Sequence, residues 1–344
     1  MRPRKSDFQR LYPETSERAA PLVSVVILSW NSAGYIRSCI DRVLDQTYQD
    51  VEVVLVDNAS TDGSTERIAR EYPSLKLLRN SENLGFATGM NQGISASRGE
   101  YVLLLNADAF LSATFVEKAL CSLENRPDEK IGMLGGKIYR LSSDLEPTGD
   151  IDNVGMFLLR RFAHVNSKNV DAEEFVFGPS GCCPFLNREM LEDVRLSDTE
   201  YFDEQYFAFG EDLDLWFRAQ LRGWQCLYCP DVVAWHVHSA SLGGRVRLFQ
   251  KPPFFRRHAL KNRYLTIIKD VPLGLLVSLA PWLVITELGL FFYVAFREPR
   301  ALPSLLLAWK DVVPLLPGAL AKRRAIQSGR QVSMAYLREF FVGT

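Results

Sequence analysis

The chain lacks the motifs that would assign it to several common enzyme classes. It has neither a P-loop nor a Gly-x-Gly-x-x-Gly fingerprint, so a nucleotide hydrolase of the P-loop type and a dehydrogenase both lack support. Gly178-Pro179-Ser180-Gly181 does not have the spacing of a nucleophile elbow, which argues against a serine hydrolase. No internal repeat stands out, and a solenoid is therefore not indicated.

Signals for export and for structural zinc are missing as well. Residues 1–20 are polar and lack the apolar core of a signal peptide, so we expect a disordered or loosely docked tail. Cys226 and Cys229 have the spacing of half a zinc site, but no second pair or nearby histidine completes it. We expect the six cysteines to be reduced and mostly buried, as in a cytosolic protein.

Charge is unevenly distributed along the chain. The formal net charge is -1, but residues 245–344 hold sixteen Lys and Arg against five Asp and Glu, a net +11, which leaves -12 on residues 1–244. Such asymmetry suggests that a basic C-terminal region faces an anionic surface. We expect no nucleic-acid partner.

The basic region also contains two long apolar segments. Residues 271–296 carry Glu287 as their one charge and are long enough to span a bilayer, while residues 301–321 are interrupted by three prolines. Kinked helices lying in the membrane interface fit this pattern better than a clean span, and a buried helical subdomain is the alternative. The first segment has basic flanks that would attract anionic headgroups, namely Lys261, Arg263, Lys269, Arg297 and Arg300.

Two predicted strands end in acidic residues. Residues 22–137 alternate strands and helices, which predicts a doubly wound α/β sheet. One apolar run leads into Asp57-Asn58, and another leads into Asn106-Ala107-Asp108. Ligands of open α/β sheets bind outside the carboxyl ends of the strands. A carboxylate there suits a divalent cation that also holds a diphosphate. Plain turn or helix-cap chemistry is the alternative explanation for each acid.

A third acidic cluster opens a predicted helix at Glu211. Leu213, Trp216 and Phe217 recur at helical spacing, so Asp212 falls in the first turn beside an apolar face. Burial there would raise the pKa of a carboxyl group toward a value that suits a general base. The alternative is an ordinary surface helix, with acids at its N-terminus and an i,i+4 pair between Asp214 and Arg218.

Together these motifs resemble those of the inverting nucleotide-sugar glycosyltransferases of family 2, which have the GT-A fold, a Rossmann-like and mostly parallel α/β sheet. The resemblance covers about Leu22 to Ser241. It rests on the order of the motifs Val23–Asn31, Leu44–Tyr48, Val56–Ser64, Glu82–Asn91, Leu105–Asp108, Phe202–Glu204, Glu211–Asp212 and His236.

The resemblance implies a role for each motif. Asp57 would contact the nucleobase, Asp212 would be the catalytic base, and Asp108 with His236 would bind Mg²⁺ or Mn²⁺. His238 lies close by and leaves the choice of histidine open. Many relatives carry two carboxylates where Asn106-Ala107-Asp108 has one, so the metal's identity stays open. The remaining expected contacts are Glu211 on the acceptor side and, on the donor side, Asn31, Asn58, Asn83, Asn91 and Asn106.

The resemblance also implies an organisation in four parts. These are a polar tail (1–20), a nucleotide-sugar-binding half (21–137), an acceptor-binding half with the catalytic helix (138–244) and a basic, apolar helical region (245–344). The expected activity is metal-dependent transfer of a sugar, with L-rhamnose as the leading donor sugar, to a glycan or lipid-linked saccharide in surface polysaccharide or cell-wall synthesis. The expected place is the cytoplasmic face of the cell membrane, with peripheral or monotopic attachment.

Two alternatives belong to other classes of function. The first is a catalytically silent, membrane-associated subunit that binds glycans or acts as a scaffold, against which the joint presence of Asp57, Asp108, Asp212 and His236 argues. The second is a nucleotidyltransferase, but Ser29-Trp30-Asn31-Ser32 stands where its Gly-rich basic loop would be. An oligomeric state is left open.

Overall fold

The computed structural model describes residues 20–237 and 248–343. The predicted tail, apart from its last residue, and His238 lie outside the described residues. The first part of the chain alternates strands and helices: β1 (Val23–Ser29), α1 (Ile36–Leu44), β2 (Val51–Asp57), α2 (Ser64–Glu71), β3 (Lys76–Arg79), α3 (Gly85–Ala96), β4 (Tyr101–Asn106), β5 (Ala109–Leu111) and α4 (Phe115–Glu124). The expected α/β class is confirmed.

The middle of the chain is richer in strands, and its end is helical. Strands dominate first: β6 (Ile131–Leu141), β7 (Pro147–Asn153), β8 (Met156–Leu159), β9 (Ala163–Asn166), β10 (Glu174–Val176) and β11 (Phe185–Asn187). The remaining elements are α5 (Arg188–Val194), α6 (Glu211–Leu221), β12 (Gln225–His236), α7 (Pro253–Asp270), α8 (Leu273–Arg297), α9 (Leu302–Ser328) and α10 (Met334–Glu339).

One ten-stranded sheet organises these elements. Its strand order is β10-β12-β6-β11-β4-β1-β2-β3, with β5 beside β12 and β7 beside β6. The run from β4 to β3 is parallel, whereas β11 pairs antiparallel with both β4 and β6. The sheet is therefore parallel over β4, β1, β2 and β3, which come from the first part of the chain, and mixed in the rest.

The parallel register places the predicted acidic strand ends side by side. Ser29 lies opposite Asp57, and Leu28 lies opposite Asn106. Along β1, Val25 and Ile27 pack into one core cluster while Val26 packs into the other, because alternate side chains of a strand point to opposite faces. The interiors of β1, β2 and β4 are mostly buried and apolar, and Ser29, Asp57 and Asn106 stand at their carboxyl ends.

A buried ionic network joins α6 to the C-terminal helices. Lys269 on α7 is fully buried, and its ammonium group contacts the carboxylates of Asp203 and Asp214. Asp214 is also paired with Arg218 at 2.9 Å, and Lys322 on α9 lies 2.8 Å from Asp203. Asp214 and Arg218, which the alternative explanation places on a surface helix, are thus part of the core. Removing one partner of such a network leaves a buried charge uncompensated, so these contacts fix α6 against α7 and α9.

Helices α8 and α9 leave much of their apolar surface exposed. α8 and residues Pro299–Ser328 are long and apolar enough to cross a membrane, yet only 11% and 28% of their most apolar windows are buried. Phe296 is 78% exposed, Leu273 68% and Val277 67%. The alternative of a buried helical subdomain is therefore wrong for α8, because a core helix would cover these side chains.

The basic flanks differ from the prediction. Lys269 is buried in the ionic network, Lys261 is 5% exposed and donates to the backbone carbonyl of Gln205, and Arg263 is paired with Glu287. These three cations balance internal groups and do not face headgroups. Arg297 and Arg300 remain exposed, as do Lys310, Arg324, Arg330 and Arg338.

Candidate active site

Two loops, which follow β1 and β2 and are joined by hydrogen bonds, form the edge of the sheet where the donor is expected, here called the donor edge. Asn31 has a left-handed backbone (φ 51°), its amide donates to Ser60 Oγ at 2.9 Å, and its Oδ1 accepts from the Thr61 amide at 2.8 Å. Asp57 is 5% exposed and accepts from the Ser60 amide at 3.2 Å. The structure thus brings Asn31 and Asp57, two predicted donor contacts, to one edge, with Asn31 exposed and Asp57 nearly covered.

An asparagine cluster links this edge to the start of α3. Asn58 is 2% exposed, its Nδ2 donates to the Gly85 carbonyl at 2.8 Å, and its Oδ1 accepts from Asn80 at 2.8 Å. Asn83, which is partly exposed, accepts from the Gly85 amide at 2.9 Å. The side chain of Asn58 holds the loops together, so direct contact with a donor is not what this placement supports.

Asn91, another predicted donor contact, is buried and hydrogen-bonds within the chain. It is 2% exposed, and its Oδ1 accepts from the amides of Tyr201 at 3.1 Å and Phe202 at 2.8 Å. Its Nδ2 donates to the Phe202 carbonyl at 2.8 Å. The same Nδ2 also donates to Oε1 of Glu204 at 3.2 Å. Asn91 therefore fastens α3 to the segment before α6, and its contact with the donor stays a prediction.

Asp108 and His236 meet although they are far apart in sequence. The cause is the antiparallel pairing of β5 with the end of β12, which sets His236 opposite Ala109. Nε2 of His236 lies 3.5 Å from Oδ1 of Asp108, and the Asp108 side chain is 19% exposed. The two predicted metal ligands therefore form one site at the edge of the sheet.

A second carboxylate orients the histidine. Nδ1 of His236 lies 3.1 Å from Oδ2 of Asp152, whose Oδ1 is 3.1 Å from Nη2 of Arg140. A carboxylate on the far nitrogen is the arrangement that turns a histidine toward a metal and fixes its tautomer. The set formed by Asp108 Oδ1 and His236 Nε2 fits a divalent cation that draws its other ligands from a diphosphate and water. Within residues 20–237 and 248–343 no group of three such side chains forms a closed metal site.

Asp212 lies on the first turn of α6, beside Gly181. A Cβ added to Gly181 would lie 2.7 Å from Oδ2 of Asp212, so the absence of a side chain at Gly181 leaves room for the carboxylate. Burial raises the pKa of Asp212, and the hydrogen bond of 2.7 Å from the Leu213 amide opposes that rise. A partly exposed carboxyl with a raised pKa suits a proton acceptor.

Glu211 differs from its neighbour in both burial and charge. It is 7% exposed, and burial together with the Asp212 carboxylate raises its pKa well above the usual range. Its Oε2 has no hydrogen-bond partner among the described residues. Glu211 is therefore a buried carboxyl group beside Asp212, and its expected contact with an acceptor stays a prediction.

The segment Gly181-Cys182 lies between Asp212 and the end of β4, which leads to Asp108. Gly181 packs on Asp212, and the Cys182 carbonyl accepts from the amide of Asn106, two residues before Asp108, at 2.9 Å. The Asn106 side chain is partly exposed beside them. Sequence analysis did not identify the contact of this segment with Asp212. It also missed Asp152 and Arg140, which follow no recognisable motif.

The fold and this arrangement of side chains define a GT-A-type nucleotide-sugar transferase scaffold. The chain belongs to glycosyltransferase family 2: the family model described as "Glycosyl transferase family 2" matches residues 24–194. Among solved structures, S. aureus TarS 1-349 in complex with UDP-GlcNAc is similar, with a TM-score of 0.56 and 18% identity over 89% of each chain. The mannosyltransferase PcManGT from Pyrobaculum calidifontis, solved with GDP-Man and Mn²⁺, has a TM-score of 0.51 and 20% identity, covering 96% of this chain and 90% of that one.

Sequence relatives give the same class. An N-acetylglucosaminyl-diphospho-decaprenol L-rhamnosyltransferase of Mycobacterium tuberculosis is 27% identical over 248 residues, which are 65% of this chain and 78% of that protein. The chain spans 27%, 33% and 62% of the length of three other curated relatives, all named glycosyltransferases.

Proposed function

We propose that the protein is a metal-dependent, inverting glycosyltransferase that moves a sugar from a nucleoside-diphosphate donor to an acceptor hydroxyl. The observation that carries this proposal is that Gly181-Cys182 contacts both Asp212 and the end of β4 that leads to Asp108, whose carboxylate lies 3.5 Å from His236. A base and a cation-binding pair that face one site are what displacement of a diphosphate by an alcohol requires.

The chain's own groups account for the steps of this reaction. Asp57 and the loop at Asn31 would hold the nucleotide, and Asp108 with His236 would hold the divalent cation. When bound, that cation stabilises the negative charge that develops on the departing diphosphate. Asp212 takes the proton of the acceptor hydroxyl as its oxygen attacks the anomeric carbon, and the bond to the diphosphate oxygen breaks. Attack from the face opposite the leaving group inverts the anomeric configuration.

L-Rhamnose is the donor sugar we favour, and a lipid-linked saccharide is the acceptor we favour. The support is the name of the mycobacterial relative, which transfers L-rhamnose to a diphospho-decaprenol-linked sugar. The exposed apolar faces of α8 and α9 agree with an acceptor that resides in a membrane. We therefore propose a role in the synthesis of a surface glycan or cell-wall polymer.

Thermal shift with a panel of nucleotides and nucleotide sugars tests donor binding. The full chain is titrated with dTDP-rhamnose, UDP-glucose, UDP-galactose and UDP-galactofuranose, each with and without Mn²⁺ or Mg²⁺. We expect a stabilisation that depends on metal and is confined to one nucleotide class, because a ligand stabilises the folded state according to its concentration over Kd. A response to UDP-sugars alone would remove rhamnose, and no response from folded protein would favour a silent glycan-binding scaffold.

We further propose peripheral or monotopic attachment to the cytoplasmic face of the membrane through α8 and α9. Val277 and Phe296 are exposed on α8, and each buried apolar side chain contributes about 1.5–3 kcal/mol. The double substitution Val277→Asp/Phe296→Asp is therefore expected to lower the affinity for phosphatidylglycerol vesicles by about tenfold or more, as measured by cosedimentation. Leu44→Asp is the matched control, since Leu44 is 51% exposed on α1. A wild-type chain that stays in the supernatant with such vesicles would contradict the proposal.

A further inference from the structure

The segment that leads into α6 has an unusual backbone. Phe207 (φ 61°, ψ -65°) and Phe209 (φ 72°) both have positive φ angles, and Gly210 follows with φ 85°. Bulky residues rarely adopt this conformation, and each instance costs on the order of 1–3 kcal/mol unless surrounding contacts enforce it. Residues 206–210, here called the entry loop, end directly before Glu211 and Asp212.

Helix α7 holds the entry loop through several side chains, and one of them makes three hydrogen bonds to the loop backbone. Asn262 on α7 is fully buried, and its Nδ2 donates to the carbonyls of Tyr206 at 2.9 Å, Ala208 at 2.8 Å and Phe209 at 2.7 Å. Its Oδ1 has no hydrogen-bond partner among the described residues. The NH₂ group thus donates three hydrogen bonds to the loop, whereas the oxygen accepts none. The function of this side chain therefore lies in its three contacts to the loop.

The same loop touches the donor side of the site. The Phe207 carbonyl accepts from the amides of Phe86 at 2.6 Å and Ala87 at 3.2 Å, at the start of α3. A Cβ at Gly85 would lie 2.6 Å from that carbonyl oxygen, so this close approach requires glycine. The entry loop therefore lies between the asparagine cluster of the donor edge and the helix that carries Asp212.

From these contacts we propose that Asn262 is a positioning residue for Asp212, acting through the entry loop. The proposal rests on the proposed function, because it assigns Asp212 the role of base. Without the three hydrogen bonds, Phe207 and Phe209 relax toward ordinary backbone conformations, and the first turn of α6 loses its fixed start. A displacement of about 1 Å at a reacting group can lower a rate by about a hundredfold.

The test compares Asn262→Leu with a matched control, Gln327→Met. Gln327 on α9 donates through its Nε2 to the carbonyls of Asp270 at 2.8 Å and Lys269 at 3.3 Å, at the other end of α7. Both variants therefore remove amide-to-carbonyl bonds that hold α7, but only Asn262→Leu removes bonds to the entry loop. Steady-state kinetics and hydrogen exchange of the backbone amides of residues 207–213 are measured for the full chain.

We expect Asn262→Leu to lower kcat at least about tenfold with the KM for the donor changed less than about threefold, and to speed exchange in residues 207–213. Gln327→Met leaves both unchanged. Adding Phe209→Gly to Asn262→Leu is expected to recover part of kcat, since glycine adopts the left-handed conformation without strain. A merely structural role would not produce that recovery.

Several outcomes would overturn the proposal. They are an unchanged kcat, a loss confined to KM, or unchanged hydrogen exchange in Asn262→Leu. If Asn262→Leu does not fold, Asn262→Leu/Phe209→Gly must recover folding, and failure to do so counts against the proposal. A wild-type chain without transferase activity would instead refute the proposed function, while the exchange measurement would still decide whether Asn262 orders the loop.

Discussion

Replacing Asp212 by Asn is expected to lower kcat by about 10²- to 10⁴-fold while leaving the Kd for the nucleotide donor within a few-fold of wild type. Asparagine has nearly the same shape as aspartate, so it keeps the packing on Gly181 but cannot accept a proton from the acceptor hydroxyl. The proposed donor contacts lie on other elements of the chain, so the affinity for the donor is expected to be spared. Steady-state kinetics with a saturating donor, combined with donor titration by calorimetry, separate the two quantities.

The pH dependence provides a second check on the same residue. Asp212 must be deprotonated to act as a base, and its pKa is raised by burial. The wild-type kcat is therefore expected to rise with pH through this raised pKa, and the limb is lost in Asp212→Asn. Asp198→Asn is a control for the chemical change, because the Asp198 side chain is 97% exposed and lies outside the site. A fully active Asp212→Asn enzyme would show that the base lies elsewhere.

Replacing Asp108 by Ala is expected to remove metal-dependent donor binding and to lower kcat/KM by at least about 100-fold. Loss of a residue that merely supports a ligand typically costs about 10–100-fold in metal affinity, and loss of a ligand itself costs no less. In this structure Asp108 faces Nε2 of His236, so its removal leaves one protein group to hold the cation. The measurement is donor affinity with and without Mn²⁺ or Mg²⁺.

Asp152→Asn gives this prediction a graded comparison. Asp152 contacts Nδ1 of His236, so it would support a ligand of the cation without binding the cation itself. The expected loss in metal affinity is therefore about 10–100-fold and smaller than for Asp108→Ala. Equal metal dependence in the wild type and in Asp108→Ala would place the cation elsewhere in the chain.

Sequence reasoning could anticipate the strand-end acids but not every neighbour. Asp57 and Asp108 follow apolar runs, and parallel pairing necessarily brings such strand ends to one edge. Asn58 and Asn91 belong to the same motifs, yet their amides hold the backbone. A motif does not distinguish a side chain that shapes a pocket from one that lines it, because both are polar residues in the same loops.

The contacts made by the C-terminal helices were the least predictable. Asp214 and Arg218 have the spacing of a surface pair, and Lys269 has the position of a headgroup-facing flank. The structure buries all three together because α7 packs against α6, a contact between segments far apart in the chain. No local pattern records such a pairing. The resemblance to family 2 also ends before α7, so it gave no guidance on Asn262.

Product analysis tests the central claim most directly. The full chain is incubated with its donor, a divalent metal and a lipid-linked saccharide, and both products are quantified by mass spectrometry. A glycosyltransferase releases one nucleoside diphosphate for each sugar added to the acceptor, and Asp212→Asn shows neither product. Release of pyrophosphate, or folded wild-type protein that forms no extended acceptor with any donor of the panel, would contradict the account.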